Sequence, residues 1–453
     1  MTEPASRLVC AGCGSSPDVD APYPFRCPRA GEGDVDHVLV RALDPARVSF
    51  PTGDGAGTEP FARYRALLHS YHRAMSGGMA DEDFLALVEG LDAAVAAVDG
   101  LGFRATPFQR SDQLSQSLGF EGGGGVWVKD ETGNVAGSHE GRHLMGVLLH
   151  LEVAERLELT DPRNRPDLAI ASCGNAALAA AVVAAAGGRR LRVFVPVDAD
   201  AGIVERLGDL GADVVVCPRP PGVAGDPTYV RLRQEIDAGA LPFTCQGNEN
   251  GLAIEGGETI GYEIVSDLAG TGADLDHLVV QVGGGALASS CMAAFAEAVQ
   301  MGAIGRGPRA HTVQTLGAHP LERAHHRVER LLSGPTSALD LGRALREAAT
   351  HRSAYMWPWE EEPKSIATGI LDDETYDWLA VVGGMLRSGG QPVVVSEERL
   401  AQAHELGKGA GYRVDPTGSS GLAGLLDLRA RGAVRPDERV AVLFTGTERA
   451  GRP

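Results

Sequence analysis

The chain has 453 residues, 43% of them hydrophobic, with 60 glycines and a formal net charge of −19. This is globular composition, and the acidic balance argues against a nucleic-acid-binding role. No apolar run reaches the roughly 18 residues of a membrane helix, and no basic stretch leads into an apolar one at the N-terminus, so a cytoplasmic protein with no membrane partner is expected.

The length suits two or three domains or one large two-lobed enzyme. Residues 1–45 read as a small separate module. It holds three of the seven cysteines: Cys10, Cys13 and Cys27. An odd total clustered at one end argues for metal binding over a disulfide framework. Cys10-Ala11-Gly12-Cys13 followed by Cys27-Pro28 resembles part of a zinc ribbon. The fourth cysteine of a full ribbon would fall at Ala30, and His37 is the nearest alternative ligand. A closed Cys₃His set suits a structural tetrahedral Zn²⁺. The competing reading is three reduced cysteines on a surface arm.

Residues 46–105 carry helical patterns, at 61–68 and 84–88. Beyond 106 the spacing alternates. Strands are predicted over 126–128, 168–171, 191–195, 214–216, 278–282 and 440–444. Helices are predicted over 143–157, from 175 to about 186, and over 203–210. Apolar β-branched runs separated by helices predict a largely parallel sheet covered on both faces.

Three turns follow strands and open helices, where α/β sheets bind ligands. Gly283-Gly284-Gly285-Ala286-Leu287 fits a phosphate cradle, because glycines let backbone N–H groups approach an anion; it reads equally as a tight corner. Ser172-Cys173-Gly174-Asn175-Ala176 offers an amide to a polar ring or a carboxylate, or simply a helix cap. Thr445-Gly446-Thr447 offers hydroxyls to a ring nitrogen, or a cap.

Taken in order, these segments resemble those of the fold-type II pyridoxal 5′-phosphate (PLP) enzymes, among them the threonine synthases, threonine and serine dehydratases, cysteine synthase and the tryptophan synthase β chain. The resemblance also runs through Thr106-Pro107, the stretch from Lys129 to Arg142, Glu255 to Glu263, Ser365 to Ile370, and Asp415 to Ser420. It implies an α/β fold of two lobes, a small one at 137–255 and a large one combining 46–136 with 256–453, behind the zinc-ribbon-like module. It implies PLP as cofactor, an amino-acid substrate, a homodimer, and α,β-elimination or β/γ-replacement chemistry. By position, Asn175 would stand beside the cofactor ring hydroxyl, and Gly283, Gly284, Gly285, Ala286 and Leu287 would hold its phosphate. Thr445 would face the pyridine nitrogen. Ser172, Gly174 and Ala176 would receive the substrate carboxylate.

One departure bears on all of this. The family segment reads Gly-Ser-Phe/His-Lys, and its lysine carries the cofactor as an imine. Here Gly137, Ser138, His139 and Arg142 match, but Glu140 stands at the lysine position. A carboxylate forms no imine and serves only as acid or base, or repels the cofactor's charge. Three readings stay open. The lysine has been replaced and normal activity is blocked. Another of the three lysines, with Lys364 ahead of Lys129 and Lys408, has taken over. Or the fold binds ligands without PLP turnover, or runs a PLP-independent reaction with Glu140 as base. Arg142 reads either as an anion contact or as a helix-surface ion pair, and His325-His326 as surface.

Overall fold

The computed structural model describes residues 4–51, 59–219, 226–271, 274–332 and 337–449. Its framework is three sheets. β1 (Ser6–Cys10) and β2 (Leu39–Leu43) form an antiparallel ribbon within the N-terminal module. β3 (Phe108–Ser111) and β4 (Gly125–Asp130) enter a six-stranded sheet. β5 (Leu168–Ala171), β6 (Leu191–Pro196), β7 (Asp213–Cys217) and β8 (Leu241–Pro242) make a parallel four-stranded sheet in the order β7-β6-β5-β8.

β9 (His277–Gln281), β10 (Arg309–Thr315), β11 (Pro392–Val395) and β12 (Arg439–Phe444) complete the larger sheet, in the order β11-β10-β9-β12-β4-β3. Only β3 runs antiparallel there, on the edge. All five residues of β9 are buried, and so are all of β12 after Arg439. Strands covered on both faces need this continuous apolar character, and their periodicity of two disappears. The expected α/β architecture is therefore present.

Six of the strands fall where the apolar runs predict them. β1, β2, β3, β8, β10 and β11 were not predicted. β10 reads Arg-Ala-His-Thr-Val-Gln-Thr, and its polar side chains are buried by specific partners that no hydropathy pattern announces. The helix expected over 143–157 starts three residues earlier, as Glu140–Arg156. Its entry is a tight turn in which Ala136 (φ 56°) and Gly137 (φ 68°) are both left-handed. A Cβ on Gly137 would also lie 2.6 Å from Thr447 Cγ2, so glycine is required there on two counts.

Among the described residues no helix is long and apolar enough to cross a membrane.

Candidate active site

The turns singled out in the sequence converge around Gly446, just past the end of β12. Ser138 and Gly446 form an antiparallel bridge. A Cβ on Gly446 would lie 2.6 Å from Asn175 Nδ2 and 2.9 Å from an Asp415 oxygen. The His139 N–H donates to Thr445 O at 3.2 Å. From the end of β9, Gln281 Nε2 donates to Thr445 Oγ1 at 2.6 Å and to Gly418 O at 3.0 Å. The Gly369 N–H donates to Thr417 Oγ1 at 3.1 Å, and a Cβ on Gly283 would touch Ile370 Cα at 3.0 Å. These contacts tie together the loops after β4, β5, β9 and β12, where open α/β sheets bind ligands, with the segments 369–370 and 415–418.

Two of the loops open helices. Asn175 is the first residue of Asn175–Ala186, and Gly285, left-handed at φ 102°, precedes Ala286–Gln300. Neither helix has a side-chain cap. The first-turn N–H groups of both are thus available to an anion. Ser172 Oγ instead accepts the Gly174 N–H at 3.4 Å and shapes the turn ahead of Asn175 and Ala176. Asn175 Oδ1 accepts from Arg449, which also donates to Ala136 O at 2.7 Å. Arg449 lies beyond the turns that the sequence reading marked.

Glu140 opens its helix, where the dipole favours a carboxylate. Its Oε2 lies 3.0 Å from His139 Nδ1, with both side chains largely buried. Burial opposes charge on each. The mutual attraction prevails, raising the His139 pKa and lowering that of Glu140, whose charge the Ser138 hydroxyl also stabilises. Position 140 is therefore half of a close His139–Glu140 pair in which each side chain favours the other's charged form. Behind it, His143 Nδ1–H donates to Ala253 O at 2.8 Å, and burial together with His139 lowers its pKa to about 3. Cys245 also faces this end of the cleft; burial, Glu140 and Asp377 raise its thiol.

None of the lysines reaches the pair. Lys364 is exposed and ion-paired with Glu362 at 2.9 Å, which corrects its candidacy as a replacement. Lys408, read as a surface turn, lies in the last turn of the helix Glu397–Gly409 and pairs with Glu448 at 3.2 Å. Lys129 is fully buried and donates to Thr106 O at 2.7 Å and to Glu263. It belongs to a closed network with Arg142, whose guanidinium meets Glu131 at 2.9 Å and Glu263 at 2.6 Å. Arg142 is thus neither on the helix surface nor an anion contact: it is fully buried and fully paired. His325 is likewise buried, whereas His326 is exposed.

The glycine cradle has neighbours that the sequence did not announce. A Cβ on Gly283 would lie 2.3 Å from Asp372 Oδ2, and one on Gly284 would lie 2.9 Å from Tyr376 Cδ2. The Asp377 N–H donates to Gly284 O at 2.9 Å. Burial pushes Asp377 up to about 8. The segment 372–377 therefore lies across the cradle.

On the N-terminal module, Cys10, Cys13, Cys27 and His37 bring one ligand atom each within 4.8 Å of one another. Cys13 Sγ and Cys27 Sγ are 3.5 Å apart, and Cys10 Sγ and His37 Nδ1 are 3.7 Å apart. His37 Nε2 sits 3.0 Å from Glu32 O, a contact that needs its N–H and leaves the Nδ1 lone pair turned to the thiols.

Comparison with known proteins agrees with this geometry. A model of the family described as pyridoxal-phosphate dependent enzyme matches residues 100–446. Threonine synthase of Methanosarcina acetivorans is 26% identical over 354 residues, covering 75% of this chain and 74% of that one. Threonine synthase of Methanocaldococcus jannaschii is 24% identical over 344 residues, covering 75% and 74%. Among solved structures, a processed threonine deaminase from Solanum lycopersicum has a similar fold, with a TM-score of 0.58 at 16% identity over 83% of this chain and 92% of that one. Diaminopropionate ammonia lyase from Escherichia coli does too, with a TM-score of 0.58 at 16% identity over 88% and 93%.

Proposed function

The chain belongs to the pyridoxal-phosphate-dependent enzyme family, and on that premise we propose that its cleft takes PLP and an amino acid, in the reaction class of α,β-elimination or β/γ-replacement. The observation that carries this reading is the convergence of Ser138, Asn175, Thr445 and the Gly283–Gly285 turn around the end of β12. Bound PLP supplies the electron sink for a carbanion; the protein supplies binding, orientation and electrostatics.

The donor set fits the cofactor at its phosphate and ring ends. The uncapped first turn at Ala286 and Leu287, with the glycines ahead of it, offers N–H groups to a phosphate. Thr445 Oγ1, held by Gln281, presents a neutral hydroxyl to a pyridine nitrogen. Asn175 presents its amide to a ring oxygen, and the turn of Ser172, Gly174 and Ala176 receives a carboxylate. The chain carries no lysine at position 140: Glu140 forms no imine with a carbonyl and instead lies 3.0 Å from His139 Nδ1. PLP is then held by non-covalent contacts alone.

The same ion pair favours a second reading, a lysine-less pseudoenzyme that binds PLP or another phosphorylated or amino-acid ligand without turnover. The Cys10, Cys13, Cys27 and His37 set supports a structural zinc, since a closed thiolate and imidazole site leaves no position for substrate.

The deciding experiment is borohydride reduction in the presence of PLP, followed by peptide mass spectrometry. The chain as it stands should yield no pyridoxyl adduct at Lys129, Lys364 or Lys408. The Glu140→Lys variant should be labelled at position 140, and amino-acid turnover in that variant alone identifies a disabled enzyme. An adduct on Lys364 in the unaltered chain would overturn the reading.

A further inference from the structure

The contact between Asp372 and the glycine cradle concerns the ligand end that PLP enzymes of this fold devote to an anion. A Cβ on Gly283 would meet Asp372 Oδ2 at 2.3 Å and one on Gly284 would meet it at 4.0 Å, so that oxygen lies against the loop backbone. Its position follows from the chain: Gly369 is fixed by Thr417, Ile370 packs on Gly283, and the Asp377 N–H returns to Gly284 O. Asp372 is the short span between these anchors. A carboxylate on the Gly284 amide, just ahead of the helix Ala286–Gln300, occupies ground that a phosphate oxygen in the cradle would need.

We propose that Asp372 is the specificity-determining residue at the anion end of the cleft, admitting a phosphate monoester only when its carboxyl is protonated or displaced. This rests on the PLP reading and adds a condition to it. Facing Asp372 are Asp373 and Tyr376 of its own segment and Asp226 ahead of the helix Pro227–Asp237. Burial first, then Asp373 and Asp226, push its carboxyl up to about 7, while the Gly284 amide stabilises its charge. Protonated, it donates a hydrogen bond to a phosphate oxygen; ionised, it repels one. Binding of the phosphate therefore takes up a proton and weakens as pH rises through about 7. A cradle of N–H groups alone would behave otherwise, because a phosphate monoester gains charge above roughly pH 6.

The test uses the full chain and probes that lack the aldehyde: pyridoxine 5′-phosphate and pyridoxine. Both are titrated calorimetrically at about pH 6.5 and 8.5, on either side of the phosphate-free Asp372 transition. The unaltered chain should bind the ester about 25-fold more weakly at the higher pH, since only the competent fraction binds. The Asp372→Asn variant should bind it with little pH dependence and tighter than the unaltered chain at the higher pH. Pyridoxine should respond to neither change. The pH series on the unaltered chain stands without the variant. Ester binding that ignores both pH and Asp372→Asn overturns this inference and leaves the cofactor reading intact. Binding of neither probe under any condition overturns both.

Discussion

Glu140 changes what its neighbours can be. A lysine there would disfavour the protonated form of His139, whereas the carboxylate favours it, raising the His139 pKa inside the cleft. That position 140 is a glutamate is legible from the sequence alone; its partner is not, because adjacent residues need not face each other. Arg142 carries the opposite lesson. It matches the family motif, yet its work is to neutralise Glu131 and Glu263 in a buried network with Lys129. Arg142→Met leaves two buried carboxylates facing one ammonium, and should cost about 3 to 5 kcal/mol in denaturant unfolding. A second cluster has excess acid. Arg41 meets Glu258 and Glu297, with Glu255 beside it, and burial pushes Glu255 up to about 7 and Glu258 up to about 8. The folded state thus binds protons that the unfolded state has lost above its ordinary carboxyl pKa of 4.5. Stability from this cluster falls as pH rises from there through about 8. Glu258→Gln should therefore gain stability relative to the unaltered chain on going from mildly acidic to alkaline pH, as read from urea midpoints.

Glycines in the Glu255–Glu263 motif become explicable at the scale of the helix pair. Glu140–Arg156 crosses Ala253–Thr271 so closely that a Cβ on Gly256 would lie 2.1 Å from Arg142 O, and one on Gly146 would lie 3.0 Å from Gly256 Cα. A Cβ on Gly257 would meet His143 Cε1 at 2.1 Å. The motif is thus a packing surface that sets the height of Glu140 in the cleft. Gly256→Ala forces the helices apart, and should destabilise by about 1 to 3 kcal/mol in denaturant unfolding. Helices and central strands were legible because their burial leaves a periodic or continuous apolar trace. β10 was not, since its buried Gln314 depends on Val282 O, distant in sequence, and β11 is a four-residue Pro-Val-Val-Val run too short to stand out.

The N-terminal module spans the molecule rather than hanging from it. Phe25 O accepts from the Gly251 N–H at 2.9 Å, and Tyr23 reaches Thr160 at 2.8 Å. Farther along, Asp36 accepts from Trp378 Nε1 at 3.1 Å and pairs with Arg352 at 3.3 Å, and Arg41 enters the acidic cluster of the helices Ala253–Thr271 and Ala286–Gln300. A metal holding Cys10, Cys13, Cys27 and His37 would fix these two sets of contacts relative to each other. One equivalent of zinc per chain is expected by elemental analysis. Chelation should lower the melting temperature, and Cys27→Ser should reproduce that loss without a chelator.

The sequence by itself determined the α/β class, the strands whose burial is complete, the family, and the absence of lysine at position 140. Each leaves a local mark: an apolar run, an ordered motif, a residue type that cannot perform the expected chemistry. Only the tertiary structure decided where charge ends up. It paired Glu140 with His139, closed Arg142 into a network, exposed Lys364, and folded Asp372 against the glycine cradle. Charges act over a few ångströms in space, and Gly283 and Asp372, now in contact, lie on either side of β10 in the chain.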